Sequence, residues 1–338
     1  MKKILVVFMV LSLAVFAIFA QGTDESKGAA FPDDDIMIYC QFGAGGGNDV
    51  QLRAIAPYLQ KYLPNDVNVV VDNKTGGGGI VCSNYIWASK PTGYTLMQAQ
   101  MGTMLTQQMY SREISFDCEK FTWLGIYAFD KSVLVVRPDL PINNWDELVA
   151  YSEQNTLRFA TAGAGSNTHV QAEMFLEAAG IKANLVHYSD GTAGVVAAFG
   201  RGEVDAYIFS LGNQSIAAEK NGTVRTLCIL QQERSDFIPD VPTITEIGSP
   251  SSIVAKILAN PIISAPRGFC GPADMNEEVV SVIDTALMKA LNDPEMIAWG
   301  KKNMLSWDPK DAAETQAWVS ENLKSISAYK GTLVELMK

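Results

Sequence analysis

The sequence predicts an α/β fold in two lobes, each built on a mostly parallel sheet. Two observations carry this. Apolar, β-branched runs alternate with helix-like stretches along most of the chain. A glycine loop between a strand and a helix also occurs twice, at Gly43-Ala44-Gly45 and Gly163-Ala164-Gly165. Val50-Gln51 recurs as Val170-Gln171 at the same offset of 120 (163 − 43). A length of 338 residues suits about two domains.

The elements follow in order. "IMIYC" reads as a strand that runs into "FGAGGGNDV", where four glycines fill five positions. Beyond it Val50, Ala54, Leu59, Tyr62 and Leu63 recur at roughly helical spacing. "VNVVVDN" is a second strand, followed by a glycine turn and a helix that stops before Pro91. "YTLMQAQ" and "VLVVRP" are further strands. "NWDELVAYSEQ" is a helix capped by Asn143 or Asn144. "LRFATAGAG" is strand then loop, "VQAEMFLEAAG" a helix stopped by Gly180, "NLVHYSDG" a strand and turn, and "AGVVAAFGRG" a helix. "VDAYIFS" and "RTLCILQ" are strands. The last third holds two long helical patterns, "NEEVVSVIDTALMKALNDPEMIAWGKKN" and "DAAETQAWVSENLKSISAYKGTLVELM".

The N-terminus reads as a targeting segment. Lys2 and Lys3 precede a short apolar run that ends in small residues at Ala20, the pattern of a secretory signal peptide over residues 1–20. A retained membrane anchor is the alternative. Residues 21–30 read as a flexible tether, and the mature chain is expected outside the cytoplasm. A formal net charge of −11 with no basic run argues against nucleic acid, whose phosphates reward clustered cations. Cys40, Cys82, Cys118, Cys228 and Cys270 form no CxxC, which leaves out zinc-finger and thioredoxin-like patterns. In an oxidising compartment one or two disulfides are open to them, with one thiol left over; they read by preference as small buried hydrophobes, with no disulfide tying the lobes.

Three glycine loops can be tested for nucleotide binding by spacing. GxGxxG from Gly43 and Gly45 meets Asn48. From Gly163 and Gly165 it meets Thr168, and from Gly76 and Gly78 it meets Val81. No Gly-Lys-Ser/Thr ending exists for a P-loop. What remains is general: glycines let consecutive backbone N–H groups converge beside a helix N-terminus, a geometry that receives an anion without a cationic side chain. Ser166 and His169 share a loop and raise a hydrolase reading, but no GxSxG motif supports it. The only two histidines, His169 and His187, form no HExxH, so no metal or other cofactor is expected.

The order of "FGAGGGND", "VVVDNKTGGGG", "ASKPTGYTL", "FATAGAGSNTHVQAEMFLEAAGI", "VHYSDGTAGVVAAFGRGEVDA" and "VPTITEIG" resembles the solute-binding receptors of tripartite tricarboxylate transporters, the Bug family, over roughly Phe31 to Trp318. The resemblance implies a Venus-flytrap periplasmic binding protein fold with two crossover strands, no catalysis, and an organic carboxylate held by backbone amides of both lobes. It implies delivery of that ligand to a membrane transporter of the same type by a monomeric receptor. The sites implied are Phe42, Gly43, Ala44, Gly45, Gly46, Asn48 and Asp49 on the first loop. On the second they are Ala164, Gly165, Ser166, Asn167, Thr168 and His169. Tyr188 and Gly191 match a strand-end "YxxG", and Asp205 a "GxVD". Tyr188 is equally open to a packing role, and Asp205 to a cap or turn role. Asn48 stands where the family has threonine, and His187 where it often has proline. Ser166, Thr168, Asn48, His169, Tyr188 and Ser210 are the candidate readers of the ligand's far end. With no clear pair of cleft arginines, a mono- or dicarboxylate is expected over citrate.

The expected boundaries place lobe one at 31–130 plus 230–338 and lobe two at 131–229. The crossings are expected near Lys131 to Val136 and Arg225 to Gln231, with all five cysteines in lobe one or at its hinge edge.

Overall fold

The computed structural model describes residues 31–164, 166–188, 191–259 and 263–336. The segments read as signal peptide (1–20) and tether (21–30), and Gly165, lie outside the described residues. Among the described residues no helix is long and apolar enough to cross a membrane.

The first lobe opens with β1 (Ile36–Cys40), and the glycine loop feeds α1 (Gly47–Tyr62). β2 (Val69–Asn73), α2 (Ile80–Trp87), β3 (Thr95–Gln100), α3 (Met101–Tyr110) and β4 (Phe121–Asp130) follow. Only Lys131 separates β4 from β5 (Ser132–Val136), which belongs to a second sheet. The second lobe continues with α4 (Trp145–Gln154), β6 (Leu157–Thr161), α5 (Asn167–Ala179) and β7 (Ala183–His187). Next come α6 (Gly191–Gly200), β8 (Ala206–Ser210), α7 (Asn213–Lys220), β9 (Arg225–Ile229) and α8 (Ser251–Leu258). The chain then returns to the first sheet through β10 (Ala265–Ala273). It closes with α9 (Glu277–Leu291), α10 (Pro294–Lys302), β11 (Trp307–Lys310), α11 (Ala312–Ser327) and α12 (Lys330–Leu336).

The strand orders are β11-β4-β10-β3-β1-β2 and β7-β6-β8-β5-β9. Pairs that carry the strand–loop–helix units are parallel: β1 with β2 and β3, and β6 with β7 and β8. The strands at the crossings run the other way. β5 is antiparallel to β8 and β9, and β10 to β3 and β4. Both sheets are therefore mixed, because each lobe borrows a strand that enters from the other side.

The two crossings lie side by side. Asp130 of β4 faces Ala265 of β10. The Ser132 hydroxyl donates to the Ile263 carbonyl at 2.7 Å and accepts from Gln171 Nε2 at 3.1 Å. The second crossing thus falls near Ile263, not at Arg225 to Gln231. Leu230, Ile244, Ile247, Val254, Ile257 and Ile263 are buried in one cluster with Leu134, Phe159 and Phe175 of the second lobe. Their apolar contacts keep the segment 230–263 there, against the expected boundary at 230.

The first lobe's core gathers Ile36, Ile38, Leu52, Ile55 and Tyr127 under α9 residues such as Leu287. Another cluster joins the lobes, with Val170 and Met174 of α5 buried among Ile86, Leu105 and Leu323. β10 is central in its sheet despite the sequence "APRGFCGPA", which reads poorly as a strand. A register shift between Gly271 and Ala273 brackets Pro272, while Pro266 pairs in register with Phe129. Gly268 is needed because a Cβ there would collide with the Gly125 backbone.

All five cysteines are free and buried. Cys228 lies in β9, inside the second lobe's core, and not in lobe one or at its hinge edge as expected. Burial raises every thiol pKa, that of Cys82 to about 12.

Candidate functional site

The two glycine loops enter their helices with one backbone geometry. Gly46 precedes α1 with φ −72° and ψ 164°, and Ser166 precedes α5 with φ −72° and ψ 163°. Gly46 N donates to the Gly43 carbonyl at 3.2 Å, and Ser166 N to the Gly163 carbonyl at 3.2 Å. Val50 N and Val170 N close the first helical turns onto Gly46 and Ser166. Each loop stands at the carboxyl end of its strand, where open α/β sheets bind ligands.

Different side chains hold the two loops. In the first, Asp49 accepts from Gly45 N at 2.8 Å, from Arg53 Nε at 2.9 Å and from Asn73 Nδ2 at 2.9 Å. Burial alone would raise its pKa; those three donors hold it below the ordinary carboxylate value. In the second, Ser166 Oγ caps α5 by accepting from His169 N at 3.2 Å, and Thr168 Oγ1 accepts from Ala162 N at 2.8 Å.

A cavity of about 360 Å³ lies between the lobes. Gly45, Gly47 and Asn48 line it from the start of α1, Thr168 from α5, Thr192 from α6, and Gly212, Asn213 and Gln214 from α7. Four helix N-termini thus converge on one space. Each offers backbone N–H groups without partners inside its own helix, and the positive end of a helix dipole. That arrangement suits an anion. Phe209, Trp299 and Leu305 add apolar wall, and Tyr207 lies near Thr192, 3.5 Å between hydroxyls.

The charged side chains lining the cavity are Asp130 and Arg267. They form an ion pair through Arg267 Nη2 and Asp130 Oδ2. Asp130 is 2% exposed. Burial raises its pKa, with the guanidinium pulling the other way.

The loop residues expected from sequence divide into two sets. Gly45, Asn48 and Thr168 line the cavity, as does Ser210. Asn48 Oδ1 accepts from Gln98 Nε2 at 3.3 Å, joining a chain through Tyr127 to Gln51. Gly43, Ala44, Gly46, Ala164 and Asn167 shape the turns without standing in the cavity wall, and Gly165 is outside the described residues. Phe42 packs on the first core, and its carbonyl accepts from Asn73 Nδ2 at 2.8 Å. Asp49 holds its loop from behind.

The His169 ring stacks edge-on against His187, with 4.5 Å between centroids, and its Nε2 is 3.7 Å from Glu173. Gly191 starts α6 one residue before Thr192. Tyr188 packs on the second lobe's core, in the role left open beside ligand contact. Asp205 precedes β8, at the end away from Ser210. There it accepts from Arg158 Nη2 at 2.6 Å and lies 3.5 Å from Arg137 Nη1. Arg201 pairs with Glu203 at 2.7 Å.

Sequence reasoning overlooked Asp130 and Arg267, the ends of β4 and β10. It also overlooked the α7 N-terminus, although Gly212 after an apolar strand repeats the strand–glycine–helix signal. Among the described residues no group of three or more His, Cys, Asp and Glu could hold a metal ion.

Comparison with known proteins agrees with this architecture. The chain is 29% identical over 247 residues to protein BugT of Bordetella pertussis, covering 70% of this chain and 72% of that one. MatC from Rhodopseudomonas palustris, solved with bound malate, superposes with a TM-score of 0.75 at 22% identity, over 91% of this chain and all (100%) of the other. A second R. palustris protein, solved with adipate, also gives 0.75, at 21% identity over 91% and 98% of the two chains. At these identities the superpositions speak for the two-lobed fold. The sequence profile of the tripartite tricarboxylate transporter family receptor matches residues 52–331, and the chain belongs to that family.

Proposed function

We propose that this protein is an extracytoplasmic solute-binding receptor. It captures a small organic carboxylate between its lobes and presents it to a membrane transporter of the tripartite type. The observation that carries the reading is the convergence of four helix N-termini on one interlobe cavity. Backbone donors there hold an anion without the desolvation cost of a dedicated lysine. Membership of the receptor family supports capture over turnover. Against the hydrolase alternative, Ser166 Oγ is engaged as the cap of α5 and is not among the residues lining the cavity. The mature chain is placed in the periplasm, released there by cleavage of the segment 1–20, and acts as a monomer without a cofactor.

Malate and adipate, the ligands of two structural neighbours, set the size range of a thermal-shift screen. A carboxylate present at 100 times its dissociation constant adds about 2.7 kcal/mol of stability. Absence of any shift across mono-, di- and tricarboxylates, or turnover of an ester or amide panel, overturns the reading.

A further inference from the structure

Helix α5 runs past the joint between the lobes and meets a different space at each end. Near its start Thr168 lines the interlobe cavity. One turn on, Gln171 Nε2 donates to Ser132 Oγ at 3.1 Å, and that hydroxyl donates to the Ile263 carbonyl at 2.7 Å. Gln171 and Ser132 are buried, so one shielded contact ties α5 to both crossings. Past it, Met174, Glu177 and Ala178 line a separate crevice of about 260 Å³, together with Lys256 of α8 and, from the first lobe, Tyr329 just before α12. At a rise of about 1.5 Å per residue, Ala178 lies about 10 Å along the helix from Gln171. The two sides of the joint are in opposite states. At the front the lobes touch: Asn213 Nδ2 donates to Asn303 Oδ1 at 3.3 Å, and Met304 packs against the second lobe's core. At the rear they stand apart around the crevice. Rigid lobes turning about a hinge that lies between two gaps widen one as they narrow the other.

We propose that the rear crevice is the counterweight of the cleft: it is open only while the cleft is shut, and what fills it sets how much of the free protein is closed. When the cleft opens, the lobes turn about the Ser132–Gln171 contact, Tyr329 approaches Ala178, and the crevice collapses. A side chain that occupies the crevice therefore obstructs opening without entering the cavity. Affinity becomes adjustable from a place remote from the ligand, because apparent affinity scales with the fraction of the protein in the binding-competent form. This goes beyond the carboxylate-capture reading, since it concerns the balance between the lobes and can be measured with no ligand present.

The test fills the crevice with Ala178→Trp, and with Glu177→Trp from an exposed position in case the first variant does not fold. Ala255→Trp, on an exposed part of α8 outside the crevice lining, controls for added bulk. Small-angle X-ray scattering of the ligand-free proteins, each verified as folded by circular dichroism, is expected to give a smaller radius of gyration for the filled variants than for the wild type, with the control unchanged. Whichever of malate and adipate the wild type binds is expected to bind the filled variants about threefold or more tightly in calorimetric titration. An unchanged or larger radius of gyration in a folded filled variant overturns the inference, and so does unchanged or weaker affinity. An equal contraction in Ala255→Trp overturns it too, because the crevice would not be the cause. If malate, adipate and the wider carboxylate screen are all silent, the capture reading falls while scattering still decides the counterweight.

Discussion

The loop before α1 and the loop before α5 enter their helices with the same backbone geometry and have different means of support. The first is held by a charge: Asp49 gathers Gly45, Arg53 and Asn73. At the equivalent place, 120 residues on (169 − 49), the second loop has His169, and hydroxyls of Ser166 and Thr168 replace the carboxylate. A strand–loop–helix unit can therefore keep its N–H geometry while exchanging the chemistry behind it. The helix-entry backbone is common to the two loops; what holds them is not.

The largest effect is expected from filling the first loop. Gly45 has φ +78°, and a Cβ there meets nothing within 4 Å. In Gly45→Val the branched side chain projects from the cavity wall at a φ that valine tolerates poorly. Calorimetry is expected to detect no binding, with stability lower by about 1–3 kcal/mol and an unchanged circular dichroism spectrum. A folded variant with native affinity would show that the loop is only a turn.

Asp49→Ala comes next. Removing a carboxylate that accepts three donors is expected to cost about 2–3 kcal/mol in urea unfolding. Ser166→Ala removes a neutral cap and is expected to cost about 1 kcal/mol, with affinity falling by no more than about tenfold. Equal costs at the two sites would break the contrast between charged and neutral support.

The smallest effect is in pH. Asp49 has a folded pKa below its ordinary value of 3.8. Its contribution is present above that value and is lost as pH falls through the folded pKa. Burial, with the His169 ring beside it, also lowers the pKa of His187 below the ordinary 6.5. Protonation is then disfavoured in the folded state, so stability falls as pH drops from 6.5 towards the folded pKa. A slight decline in melting temperature beginning near pH 6.5 should vanish in His187→Gln, while the acid limb below 3.8 should weaken in Asp49→Asn.

Much of this was legible in sequence because the parallel strand–loop–helix units are local. Each places an apolar run, a glycine and a helix within about 25 residues. The crossing at Lys131 falls where it was expected, but the return through β10 was not legible. "FTWLGIYAFD" and "APRGFCGPA" become strands by pairing over more than a hundred residues, and the second carries prolines and glycines. The ion pair at their ends was lost with them. The helical pattern ending at Asn303 is two helices, since Asp293 caps a new start at Pro294. The loops could be found without a partner strand; the charges facing them could not.

The buried thiols have a consequence for how long the protein lasts. With every cysteine shielded and its thiolate disfavoured, an oxidant or alkylating agent finds no thiol to attack while the fold is intact. Once the chain unfolds, five sulfurs become reactive together, and cross-linking competes with refolding. Lifetime in an oxidising medium is then governed by the height of the unfolding barrier more than by the depth of the native well. The cysteines, which contribute no covalent staple, make an unfolding event harder to reverse in such a medium.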